Sequence, residues 1–418
     1  MADKSAVKSA FVKAFEFPKK SLMMGAIVGV AIFHLTKNPT IRLSSFHKMT
    51  SSFSFPTNIR FGAGCLQEVP GCMAALGANQ PLIVTDPGLL TTDAFKSLEK
   101  ISGKQWAVFA GVHPNPTIED VEAATAAYLA GKCDSVIAFG GGSALDVGKV
   151  IRICLKRPER PLLPFDFEAD WSGLAPCITI PTTAGTGSEV GRSSVIIKEG
   201  RKWVIFHPSL LASLVILDPE LTRGLPPKLT AATGADALVH CVESFTSPVF
   251  HPPCDGIALE GIHLIGQSLA RAVKNGDDLE ARGKMQVAAM MGAVAFQKDL
   301  GAIHSLAHPL STFCGLHHCT ANALCTPFVM KFNAERLPGL YRRVGIALGL
   351  GQPDDDATID HISGLLREIG LAPGLRAYGV KESQLDAMSE QAFEDSCHQT
   401  NPVPVTRNDL RSLYQLAL

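Results

Sequence analysis

The chain has 418 residues, enough for two or three domains and for a large core that needs no disulfide staples. Its 38 lysines and arginines balance 39 aspartates and glutamates, so there is no basic excess to hold a phosphate backbone, and general nucleic-acid binding is not expected. With 46% hydrophobic and 18% charged residues it is not a disordered chain.

In chain order, Lys4, Lys8, Lys13, Lys19 and Lys20 precede an apolar run over residues 22–32. That pattern resembles the first two regions of a signal peptide, but no A-x-A cleavage site follows. The run is also short of the roughly 20 residues that a membrane span needs. Residues 1–48 are therefore read as an extension. Either the start codon lies upstream of a true start at Met49, or the segment is an anchor or export signal. Membrane association is expected only in the second case, and the rest of the protein reads as cytoplasmic. Eleven scattered cysteines without a C-x-x-C pair fit reduced thiols better than a disulfide framework.

Beyond Pro56 the pattern is globular. Residues 81–86 (PLIVTD) and 106–111 (WAVFAG) are short apolar runs closed by turn residues, as buried parallel strands are. Helical spacing follows over 118–130. Another strand, 135–139, leads into Gly140-Gly141-Gly142-Ser143 and a helix over 144–154. A strand at 177–180 is closed by Pro181-Thr182-Thr183, and 194–198 and 202–206 flank Glu199-Gly200 as a hairpin. The alternation predicts an α/β half with a mostly parallel sheet. After Asp218-Pro219 the periodicity turns helical, over 230–245, 254–273, 279–298, 335–349, 357–369 and 381–395. The expected division is an extension over 1–48, an α/β domain over 49–222 and a helical domain over 223–418, with a cleft between the last two.

Three segments could carry chemistry. Glycines after a strand let a phosphate approach the backbone, and the helix N-terminus that follows offers free N–H groups. The 140–143 loop lacks the G-x-G-x-x-G spacing, so alone it is equally a structural turn. The small and hydroxyl residues of 181–189 (PTTAGTGSE) could wrap a diphosphate or ribose, or form a plain polar loop. The third is a histidine set: His304, His308, His317 and His318 lie within fifteen residues. His304 and His308 share a helix face by their i, i+4 spacing, as do Asp236 and His240 upstream. Imidazoles plus one carboxylate suit a divalent transition metal. Spacing does not choose between His317 and His318. Cys314, Cys319 and Cys325 nearby are either packing residues or soft ligands.

Taken together these segments resemble the iron-containing (group III) alcohol dehydrogenase family. The likeness runs from about Phe55 to the C-terminus, through GAG at 62–64, TD at 85–86, PNPT at 114–117 and GGGS-x-x-D at 140–146. It continues with PTTAGTGSEV at 181–190, LDPELT at 217–222, GADALVH at 234–240 and the H-x3-H-x9-H frame at 304, 308 and 318. The resemblance implies an α/β N-terminal dinucleotide-binding domain plus an all-α C-terminal domain, the dehydroquinate synthase-like fold, with a metal in the cleft. It implies Asp236, His240, His304 and His318 as ligands of Fe2+, with Zn2+ an alternative that the donor types equally allow. His308 matches the family's non-ligand histidine beside the nicotinamide, a proton relay. Gly141, Gly142 and Ser143 match the pyrophosphate loop, Thr182, Thr183 and Lys202 further cofactor contacts, and Asp146 a carboxylate near the nicotinamide. Asp86 matches the adenosine-ribose position. An acid there accepts from a 2′-hydroxyl and repels a 2′-phosphate, which favours NAD over NADP.

The expected activity is reversible hydride transfer between a small alcohol and NAD, by a homo-oligomer. A metal-free reductase of the maleylacetate type and a redox-neutral lyase of the dehydroquinate-synthase type are the alternatives. Two departures from the family bear on cleft shape: Cys319 and Ser311 stand where glycine is common.

Overall fold

Strand β2 (Pro81–Val84) is wholly buried and shows why the first half is layered. Leu82 and Val84 point into one apolar cluster with Val136, Ala138 and Val150, while Ile83 joins Ile137, Phe139 and Ile178 in another. Side chains alternate along a strand, so a run apolar at every position demands cover on both faces. The computed structural model describes residues 55–103, 105–371 and 374–418, so the expectations for residues 1–48 lie outside the described residues. No helix among the described residues is long and apolar enough to cross a membrane.

The α/β half contains β1 (Asn58–Phe61), α1 (Val69–Ala75), β2, α2 (Asp93–Ser102), β3 (Ala107–Phe109), α3 (Ile118–Ala130) and β4 (Ser135–Gly140). It continues through α4 (Gly142–Lys156), β5 (Cys177–Pro181), β6 (Ser193–Lys198), β7 (Arg201–Phe206) and β8 (Leu214–Leu217). Six strands form one parallel sheet in the order β1-β8-β5-β4-β2-β3. From β2 the chain moves outward to β3 and then back across to β4, so the order reverses between β2 and β4. Ligands of such sheets bind at the carboxyl ends of the strands where the order reverses. The β6–β7 hairpin stands apart as a two-stranded antiparallel sheet. Its two turn residues, Glu199 and Gly200, both have positive φ (52° and 72°), the turn that matches strand twist.

The remainder is helical: α5 (Pro227–Thr246), α6 (Pro252–Lys274), α7 (Leu279–Ala295), α8 (Ala302–Cys314), α9 (His318–Arg336), α10 (Arg342–Ala347), α11 (Asp355–Glu368), α12 (Leu385–Glu394) and α13 (Arg407–Ala417). Both halves belong to one compact unit, Ser51–Leu418. Helix α5 runs through its interior, buried continuously from Thr230 to Ser244. A helix apolar or small on every side belongs in a core, and Asp236, His240 and Glu243 are exceptions that need partners there.

One expected element is corrected. The helix expected over 335–349 ends at Arg336 and restarts at Arg342. Pro338 cannot continue the hydrogen-bond ladder, and Gly339 turns the chain at φ 87°. Strands β1 and β8 and helices α1, α2, α8, α9 and α13 complete the architecture beyond the elements read from periodicity.

Candidate active site and metal centre

At the switch point, β2 ends before Asp86 and β4 before the glycine loop. Gly140 has φ 147°, and a Cβ there would lie 2.9 Å from the Ala144 Cβ and 3.6 Å from Asp86 Oδ2. Glycine thus lets the two strand ends close on each other. Asp86 accepts from the Gly88 amide at 2.9 Å through Oδ1. Gly141 caps α4 without any side-chain capping bond, so the N–H groups near Gly142 and Ser143 remain open to an anion. Thr182 N donates to Gly140 O at 3.0 Å, and Thr183 lies beside Gly141, drawing the 181–190 segment over the loop.

Asp146 is placed differently from a simple cofactor contact. Its Oδ1 accepts from Ser188 Oγ (2.5 Å), its Oδ2 from Val195 N (2.9 Å), and Lys149 Nζ lies 3.3 Å away. Lys149 is fully buried and also donates to the carbonyls of Ser188 and Ser193. The pair fastens α4 to the 188–195 segment. Lys202, on β7, is half-buried, and burial lowers its pKa against the opposing fields of Asp395 and Cys319. The hairpin therefore reaches toward the histidine cluster.

That cluster is assembled by three helices. Ligand atoms of Asp236 (α5), His304 (α8) and His318 (α9) lie within 4.8 Å of one another. His240, one turn after Asp236, stacks on His304 with ring centroids 4.9 Å apart. His317 is exposed, whereas a ring nitrogen of His318 lies in the cluster. Burial opposes ionisation of Asp236, yet the three imidazoles and Asn322 outweigh it and hold the carboxyl well below its usual range. Burial also drives His318 well below 6.5 and lowers His240, keeping both rings neutral with free lone pairs.

Two partners that sequence reasoning missed complete the centre. Glu243, buried on α5, receives His304 Nδ1 at 2.5 Å and the Ile303 amide at 2.7 Å. Burial works against a charged His304, but Glu243 overrides it and raises the pKa. The bond places a proton on Nδ1 and turns Nε2 toward the cluster. Asn322 Nδ2 lies 2.7 Å from Asp236 Oδ1, 3.1 Å from His304 Nε2 and 3.2 Å from His318 Nε2. An amide nitrogen has two hydrogens and cannot satisfy three acceptors. His240 Nδ1, His318 Nδ1 and Asn322 Oδ1 are buried without a hydrogen-bond partner. Converging lone pairs on two imidazoles and one carboxylate, with the His240 ring stacked alongside, fit a divalent cation. Glu243 stands three residues after His240 and Asn322 four after His318, spacings that could have flagged both.

His308 lies at the edge, its ring 5.2 Å from that of His318 and stacked on it. Its Nδ1 is 2.7 Å from Asp395 Oδ2. Asp395 is itself held by Ser305 Oγ and the Cys397 amide, both at 2.9 Å. Burial resists its ionisation, and His308 more than compensates, so Asp395 stays ionised well below the usual range. No sequence signal links residue 395 to residue 308. Of the three neighbouring cysteines, Cys325 is buried with its pKa pushed up to about 12. Cys319 donates to Asp236 Oδ2 at 3.4 Å.

Family models match the sequence of both halves. Residues 56–219 match the model for iron-containing alcohol dehydrogenase, and 230–418 that for the Fe-containing alcohol dehydrogenase family, C-terminal. Among curated proteins, the chain is 39% identical to 4-hydroxybutyrate dehydrogenase of Cupriavidus necator, covering 87% of this chain and 98% of that one. It is 36% identical to alcohol dehydrogenase 4 of Schizosaccharomyces pombe, covering 93% and 96%. The crystal structure of a 1,3-propanediol oxidoreductase superposes with TM-score 0.85 at 33% identity, covering 88% of this chain and 100% of that one. Sulfoacetaldehyde reductase from Bifidobacterium kashiwanohense, solved with NAD+, gives 0.81 at 30% identity, covering 88% and 99%. On these matches this chain belongs to the iron-containing alcohol dehydrogenase family, whose members couple a divalent metal and NAD to oxidation and reduction at a carbinol carbon.

Proposed function

We propose that Asp236, His240, His304 and His318 hold Fe2+ in the cleft and that the protein oxidises a small alcohol with NAD, or reduces the matching aldehyde or ketone. The observation that carries this reading is the convergence of Asp236, His304 and His318 donor atoms on one point. Bound there, the cation supplies Lewis-acid polarisation of the substrate oxygen, and the nicotinamide supplies the hydride chemistry. Glu243 orients His304, and Asp236 stays ionised beside neutral rings, so the donors are preset. His308, tied to Asp395 through Nδ1, presents Nε2 as the group that takes the hydroxyl proton toward solvent. Gly141, Gly142 and Ser143 receive the pyrophosphate at the α4 N-terminus. Thr182 and Thr183 hold that loop from the opposite side, and Lys202 closes over the nicotinamide end. Asp146 acts through Ser188 and Val195 to keep this wall in place. Asp86 selects NAD by accepting from the ribose. Self-association into a homo-oligomer belongs to the same proposal and is read by light scattering.

The test is anaerobic NADH formation by the Fe2+-loaded protein on a panel including 1,3-propanediol, 4-hydroxybutyrate and short primary alcohols. Turnover abolished by chelation and restored by metal supports the reading. Turnover unchanged by complete metal removal overturns it in favour of a metal-free reductase.

A further inference from the structure

We propose that His308, Asp395 and Cys397 form a second divalent-metal site, soft enough for Zn2+, whose occupation inhibits the enzyme by taking His308 out of the proton path. Candidate ligand atoms of the three residues lie within 4.8 Å of one another, as closely grouped as those of Asp236, His304 and His318. The two triads share no residue, and the stacked rings of His308 and His318, 5.2 Å apart, mark where they adjoin.

Three features favour a cation here. The first is donor chemistry: an imidazole, a carboxylate and a thiol are softer together than the imidazole and carboxylate donors of the neighbouring centre, and thiolate selects zinc. The second is charge. Ligand atoms of Asp395 and Cys397 lie within 4.8 Å of each other, so a carboxylate stands beside the sulfur. Asp395 accepts from Ser305 Oγ, the Cys397 amide, the Cys397 thiol and the His308 ring, and Lys202 on β7 is the cation in its field that an ion would have to tolerate. A coordinated cation would lower the thiol's proton affinity and release that proton to solvent. The third is access. All three residues are partly exposed, unlike the buried Asp236 and His304, so an ion can enter without unfolding α8. Coordination would exchange the 2.7 Å bond between His308 and Asp395 for bonds to the ion. The inhibitory consequence rests on the relay role of His308 proposed above, whereas the site itself does not.

Titration of the full-length, metal-free chain with Co2+ under anaerobic conditions tests the site. The first equivalent meets imidazoles and a carboxylate and gives no thiolate-to-cobalt charge-transfer band. The second should give that band, with about two ions retained per chain. Cys397→Ser should retain about one ion and lose the band. With Fe2+ in the first centre, inhibition by Zn2+ is read as a fraction of each protein's own zinc-free turnover, and circular dichroism reports a correct fold. The inhibition constant of Cys397→Ser for Zn2+ should rise roughly tenfold or more, the loss typical of even an outer metal partner. Cys397→Ala repeats the comparison if the serine variant does not fold. Saturation at one ion, or Zn2+ inhibition unchanged by Cys397→Ser, overturns the proposal. So does a band that arrives with the first equivalent and survives the substitution, which would assign the thiolate to Cys319. A second ion with its band but undiminished turnover keeps the site and refutes the relay. Binding of the first ion without alcohol turnover refutes only the proposed activity, because stoichiometry and absorbance still read the second site.

Discussion

Replacing Glu243 by glutamine tests how this centre is preset. The carboxylate now accepts twice, from Ile303 N at 2.7 Å and from His304 Nδ1 at 2.5 Å. Glutamine offers one acceptor and one donor to those same two groups. If its oxygen stays on Ile303, its amide hydrogens face Nδ1, which must then accept, and the ring proton moves to Nε2. A cation must displace that proton before His304 can ligate. If the oxygen turns to Nδ1, the Ile303 N–H is left unpaired in the core, at a cost of about 1–3 kcal/mol. The side chain has no room to avoid the choice, because a Cβ at Gly301 would already lie 2.7 Å from Glu243 Oε1. In the first arrangement the loss falls on metal affinity. Outer partners of metal-bound histidines are worth 10–100-fold, or about 1.4–2.7 kcal/mol. In the second it falls on the fold. Anaerobic competition with a chelator reads the first, and the melting temperature of the metal-free protein reads the second. Metal affinity within about twofold of the parent together with an unchanged melting temperature would refute the argument.

Three further outcomes are expected. His308→Ala should retain metal while kcat falls about 10²–10⁴-fold, the usual weight of a general acid–base group; unaltered rates across the pH range would remove it from the proton path. Asp86→Ser should raise kcat/KM for NADP relative to NAD, because repulsion of a 2′-phosphate is withdrawn; an unchanged ratio would place cofactor choice elsewhere. The buried Glu189 has its pKa raised to about 7, chiefly by desolvation. A raised folded-state pKa makes its stabilisation complete below the unfolded value and lost as pH climbs through 7. Glu189→Gln should therefore stabilise the protein by about 3 kcal/mol at pH 8 relative to pH 4, read as a pH-dependent difference in denaturant midpoint. A pH-independent difference would show that the charge is relieved in some other way.

Much of the site was legible because its rules are local. Asp236 with His240, and His304 with His308, share helix faces through the i, i+4 geometry of any α-helix. The strand, glycine and helix sequence at 135–156 marks an anion-binding turn for equally local reasons. The hairpin could be placed because Glu199-Gly200 suits a positive-φ turn. The expected continuous helix at 335–349 failed where its own Pro338 and Gly339 outweighed apolar periodicity, an error of reading rather than missing information.

What only the tertiary structure decided was which distant groups meet. His317 and His318 differ by one residue and nothing in spacing separates them, but the first turn of α9 faces just one of them inward. Asp146, readable as a cofactor carboxylate, is claimed by Ser188 and Val195 from across the sheet edge. Asp395 reaches His308 over 87 positions of chain, and Glu243 reaches His304 over 61. Such pairs leave no periodic trace, because a hydrogen bond depends on where two backbones are carried in space. Sequence alone therefore determined the donor types and the local faces that present them. Packing of α5, α8 and α9 decided their convergence; burial lowered the pKa of His240 and His318, while neighbouring groups kept Asp236 and Asp395 charged against it.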